Sequence, residues 1–313
     1  MSSHSCPMSL TLPSLDRVVG PIRETVAAGF RRIVSGQSDG QPEWVTALEE
    51  GDDLGYFGPG SAAWAVHGAI PTIVGGVRAL LLQALHPGAL AGVRQHSRYR
   101  EDGLGRLAGT SRWLTVTTFG DTRAVERECA RVRGLHRTVV GSYAGPAGPT
   151  PYAASDPDLL RWVHVAFTDS FLAAHQVWGG EIPGGPDSYV REWATAAELV
   201  GVDAPPRSAA ELQEHLDGYA PILRGGPDAQ DTLRFIKNPP LPMSAKPAYA
   251  VLFAGAVTTL REEHRVMLGL PPVPTAPARL AVSAMLGGLS LALGSSSPSH
   301  QAAQRRIARL AAA

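Results

Sequence analysis

Apolar residues recur along the chain at three- and four-residue spacings, and alternating β-branched runs are few, which predicts an all-α fold. Helices are expected at about 15–35, 73–84, 88–98, 121–143, 157–178, 186–200, 209–220, 245–258, 276–290 and 299–311. Proline and glycine mark the joins at 55–61, 143–152, 179–188 and 271–277, all read as loops. No repeat and no long low-complexity linker divides the chain, so these joins are expected inside a single helical domain covering 1–313.

In the helix expected over 121–143, Asp121 is a natural N-cap after Phe119 and Gly120. Val125, Cys129, Val132, His136 and Val139 then fall on one stripe, while Arg123, Glu126, Arg127 and Arg131 fall elsewhere. His136 is therefore expected on the apolar face, where an imidazole must donate, accept or ligate, since an unpaired buried polar group costs about 1–3 kcal/mol. Arg133 lies one turn earlier on nearly the same face, a pairing that suits haem: neutral imidazole for iron and guanidinium for a propionate. A core histidine bonded to a backbone carbonyl, with Arg133 reaching solvent, fits the same spacing. His164, Thr168, Phe171 and His175 share a face of the helix at 157–178, where His164 and Thr168 either approach a cofactor or make core hydrogen bonds. His86 precedes Pro87 at a helix start, as a cap would. Asp169 is expected to anchor an arginine, because a buried carboxylate needs a partner.

Composition narrows the class further. The chain has 313 residues, 44% hydrophobic and 18% charged, enough apolar material for one large core. Lys+Arg and Asp+Glu balance at 28 each and the basic residues are scattered, so nucleic acid is not an expected partner. The two cysteines, Cys6 and Cys129, exclude a disulfide framework. The start of the chain lacks a basic and apolar leader, which predicts a cytoplasmic protein. The apolar stretch from Leu280 to Leu293 is too short for a bilayer and is read as a buried helix rather than a transmembrane segment. Hydrolase and nucleotide-binding fingerprints are absent from the sequence.

The short motifs GYFGPGSAAW (55–64), RALLLQALHPGALAGVRQHS (78–97), RLAGT (106–110), FGD (119–121), RVRGLH (131–136) and RWVHVAFTDSFLAA (161–174) follow one another in order. Together they resemble the family of bacterial latex-clearing proteins (rubber oxygenases) and MpaB-type oxygenases, from about 50 to 270. That resemblance implies a globin-like helical core holding one haem b (iron), and a haem-dependent oxygenase acting with O2 on a small, largely apolar or unsaturated organic substrate. It implies His136 as the axial iron ligand, Arg133 as cofactor-binding, and Arg106 and Thr110 as both cofactor-binding and catalytic; His164 joins the cofactor-binding candidates from its helix spacing alone. The chain departs from latex-clearing members at Gly109, where they carry a lysine, and at Val140, where they carry an arginine. Both departures argue against rubber as the substrate. A haem or small-ligand carrier and a haem peroxidase or peroxygenase are the alternative functions for the same scaffold.

Overall fold

The computed structural model describes residues 41–97, 103–294 and 296–312, with a few scattered positions before 41. The helix expected at 15–35 lies outside the described residues except for positions 28, 29, 31 and 32, which are helical. After short helical turns at Glu43–Thr46 and Ala47–Glu49, the chain forms helices α1 (Ala62–Gly68), α2 (Thr72–Gln83), α3 (Pro87–His96), α4 (Gly103–Phe119) and α5 (Thr122–His136). Strands β1 (Val140–Gly145) and β2 (Gly148–Ala153) follow. Then come α6 (Pro157–Trp178), α7 (Gly185–Val200), α8 (Ala209–Tyr219), α9 (Pro227–Lys237), α10 (Lys246–Thr258), α11 (Glu262–Met267), α12 (Thr275–Leu293) and α13 (Pro298–Ala311). The described part is mostly helical, as the spacing of apolar positions predicts.

Helix α6 is the centre of the core. Asp156 caps it by accepting from the Asp158 amide (2.9 Å), Pro157 occupies its first turn, and Gly179 follows its end. Trp162, Val165, Ala166 and Ala174 are fully covered along it. Helix α2 crosses α6 closely at Gly75, where a Cβ would stand 2.6 Å from Phe171 Cδ1 and 3.0 Å from Phe171 Cα. One turn on, Arg78 is buried and pairs with Asp169 (2.6 Å), donating also to Ser170 Oγ (2.9 Å) and the Thr259 carbonyl (3.1 Å). Asp169 accepts from Gln213 Nε2 as well (3.1 Å), so one polar network joins α2, α6, α8 and the end of α10. The expectation that Asp169 anchors an arginine is met.

Two expected elements are corrected. The helix foreseen over 121–143 stops at His136, and the segment expected as a loop at 143–152 belongs to an antiparallel hairpin in which Val140 pairs with Ala153 and Gly145 with Gly148. Thr138, Val139 and Val140 are β-branched and Gly141 follows them, so propensity favours leaving the helix there. Gly148, at φ +117°, makes the turn. Pro149 and Pro151 hid the second strand; they are tolerated because a two-stranded sheet is all edge. The second correction is α12, expected as a buried helix. Only a narrow stripe including Val282 and Leu286 is covered, while Leu280 and Leu291 are 72% and 77% exposed. With 19 residues and mean hydropathy 1.4, α12 is long and apolar enough to cross a membrane by length and composition.

Candidate site at the end of the α4–α5 hairpin

Helices α4 and α5 form an antiparallel pair around Gly120 and Asp121, with Asp121 capping α5 through the Ala124 amide (2.9 Å). Their register is fixed by Arg112, which donates to Glu128 (3.0 Å), and by the Cys129 thiol, which lies against the side chains of Trp113 and Thr117. His136 is seven residues beyond Cys129, about 10 Å along the axis. Seven residues back from Trp113 and Thr117 on the antiparallel partner are Arg106 and Thr110. The hairpin therefore brings His136 level with the turn that carries Arg106 and Thr110, although these positions are far apart in sequence. Thr110 is half-buried; the Arg106 side chain lies outside the described part of the structure. At Gly109, exposed in the same turn, a Cβ would have nothing within 4 Å, so any longer side chain there would project into open space.

His136 is half-buried, and its Nδ1 is buried with no hydrogen-bond partner. Burial lowers its pKa, so the imidazole is neutral at neutral pH and keeps a lone pair for a ligand. Arg133 behaves differently. Its guanidinium donates to the Leu199 carbonyl near the end of α7 and lines a shallow exposed depression with Glu126, Arg127 and Ala130. The structure thus spends Arg133 on tying α5 to α7 and does not bring it to the His136 ring.

Apolar surface is left incompletely covered on the elements around this end of the hairpin. Val132 and Val139, on either side of His136 in sequence, are half-buried. A Cβ at Gly92 of α3 would stand 3.6 Å from Val139 Cγ1, and one at Gly88 would stand 2.9 Å from Leu159 Cδ1 of α6. Leu159, Val163 and Phe167, four residues apart on α6, are also half-buried, and Phe167 meets Trp113 edge to face with centroids 6.1 Å apart.

The other histidines have structural surroundings. His164 is buried, its Nε2 lies 3.4 Å from Thr168 Oγ1, and burial together with His215 of α8 pushes its pKa down to about 3. It is set toward α8, and nothing brings it to His136. His86 caps α3, its Nδ1 accepting from the Ala89 amide at 3.3 Å. Among the described residues no three His, Cys, Asp or Glu side chains gather as a metal cage, so the candidate ligand is the single imidazole of His136. Trp113, Thr117 and Cys129, which set the register, were not singled out as site residues from sequence. Their signal was the three- and four-residue spacing that continues from Arg106 and Thr110.

A neutral, half-buried imidazole with an unpaired nitrogen at the end of a helix pair fits an axial ligand for an iron cofactor. In the comparison with known families, residues 64–290 match the family described as ER-bound oxygenase mpaB/B'/Rubber oxygenase, catalytic domain. The chain belongs to that oxygenase family. Compared with curated proteins and with solved structures, it has no significant match.

Proposed function

We propose that this chain is a b-type haem-dependent oxygenase that acts with O2 on a small, largely apolar or unsaturated organic substrate, by hydroxylation or by cleavage of a carbon–carbon double bond. The observation that carries the reading is the His136 ring, neutral through burial and with Nδ1 unpaired, placed by the hairpin opposite the Arg106–Thr110 turn. A bound haem would supply O2 binding and activation, chemistry that no side chain provides. His136 would hold the iron. Val132, Val139, Val163 and Phe167 would cover the apolar body of the cofactor and substrate and keep water out. The Thr110 hydroxyl, and the guanidinium of Arg106 in the same turn, would provide the polar groups on the facing helix, able to orient the cofactor or stabilise developing charge. With glycine at 109, no side chain from that position would compete for the iron.

Absorption spectroscopy tests this directly. Purified protein, as isolated or after addition of hemin, should show a Soret band, and His136→Ala should lose it while the far-ultraviolet circular dichroism is unchanged. Reduced protein should consume O2 only when an oxidisable apolar substrate is supplied. Stoichiometric hemin binding by a folded His136→Ala variant would overturn the ligand assignment.

A further inference from the structure

Behind the candidate site runs a chain of oxidisable side chains. Trp113, one turn from Thr110 and packed on the Cys129 thiol, meets Trp193 of α7 at 5.8 Å between centroids. Trp193 meets the ring of His67 at 4.1 Å, and Tyr189, one turn before Trp193, has its hydroxyl 3.2 Å from His67 Nε2. His67, Tyr189 and Trp193 are all buried.

The hydrogen bonds give this chain a direction. The indole N–H of Trp193 is buried without an acceptor and that of Trp113 meets only the weakly accepting Cys129 sulfur, so neither ring has a base to take its proton when it loses an electron. Tyr189 does. Donation from its hydroxyl to His67 Nε2 leaves only His67 Nδ1 unpaired, whereas the opposite tautomer leaves two buried groups unpaired. Burial keeps His67 neutral, its pKa lowered to about 3, and holds the Tyr189 phenol well above its ordinary value, so the pair is poised as phenol and free base. An oxidised phenol is a far stronger acid than a buried imidazolium.

We infer that Trp113, Trp193 and the Tyr189–His67 pair form a relay that draws oxidising equivalents away from the His136 end of the hairpin. The oxidant is a one-electron oxidant of the class that iron porphyrin yields with O2 or a hydroperoxide, which rests on the reading above. It removes one electron from Trp113; Trp113 is refilled from Trp193, and Trp193 from Tyr189. The phenolic proton passes to His67 Nε2, leaving a neutral tyrosyl radical, an imidazolium and both indoles restored. The equivalent then sits on Tyr189, enclosed in the core, rather than on the residues that hold cofactor and substrate.

A photochemical oxidant makes the test independent of haem. Leu107 is exposed in α4, six residues before Trp113, and Leu107→Cys in a Cys6→Ser background accepts a ruthenium photosensitiser, the buried Cys129 staying unlabelled. Flash–quench spectroscopy should give a tyrosyl radical. In Tyr189→Phe the tyrosyl signal should vanish and a tryptophan radical cation should persist several-fold longer; in Trp113→Phe the tyrosyl yield should fall several-fold. Undiminished tyrosyl in either folded variant overturns the relay. With hemin bound and hydrogen peroxide added, freeze-quench electron paramagnetic resonance should show a radical that Tyr189→Phe removes. Its absence from hemin-loaded protein means the site does not feed the relay, whereas failure to bind hemin counts against the haem reading alone.

Discussion

Two residues three apart on one helix separate sharply in their surroundings. His136 and Arg133 are close enough in angle for the sequence to read them as partners, and a shift of about 60° around the axis is all that divides them. The shift suffices. His136 keeps an unpaired buried nitrogen, whereas Arg133 closes on the Leu199 carbonyl at the exposed edge of α7. Arg133→Ala should therefore leave hemin stoichiometry unchanged and lower stability by no more than about 1 kcal/mol, the worth of a solvent-exposed hydrogen bond. Soret titration and urea unfolding of the variant measure the two quantities. A lost or weakened Soret band would return Arg133 to the cofactor.

At the scale of elements, what decides the site is how closely helices approach, and this is visible in glycines. Gly75→Ala would drive a methyl group into Phe171, on the backbone side as well as the ring, where α2 crosses α6. Overpacking of this kind costs about 1–3 kcal/mol, so the melting temperature should fall with activity per folded molecule preserved; an unchanged melting temperature would mean that the two helices part readily enough to admit the methyl group. Such crossings are not legible in sequence, but the helices that make them largely were. Helix α6 was read to its first and last residues because Asp156, Pro157 and Gly179 bracket an apolar period. Helix α4, by contrast, holds three glycines and four threonines in its seventeen residues, and propensity argued against it; packing on α5 and the core overrides that local preference. Missing α4 meant that Arg106 and Thr110 entered through family resemblance alone. Their position opposite His136 follows only once the hairpin register is known. The end of α5 was misread for the converse reason, since the apolar stripe runs on through Val139 after the backbone has left the helix.

Across the whole molecule, the buried histidines set how the fold answers acid. His67 and His164 have pKa values near 3 in the folded chain, against an ordinary value of about 6.5 when unfolded. Each is held neutral by burial, and the charge that adds to this is another histidine's, His175 for His67 and His215 for His164, with no carboxylate steadying a proton there. His86, His136, His175 and His264 are displaced in the same direction. Above about pH 6.5 neither state carries these protons and stability is at its full value. Between that pH and about 3 the unfolded chain binds protons that the folded core refuses, so stability falls as pH falls, by up to about 1.4 kcal/mol per pH unit for each such histidine. Urea unfolding should then show a midpoint that is flat from pH 8 to 7 and drops steeply from 6 to 4. His164→Gln, which keeps a polar group beside Thr168 but takes up no proton, should shallow that slope by about one histidine's share. A midpoint that stays level down to pH 4 would mean that water reaches these rings.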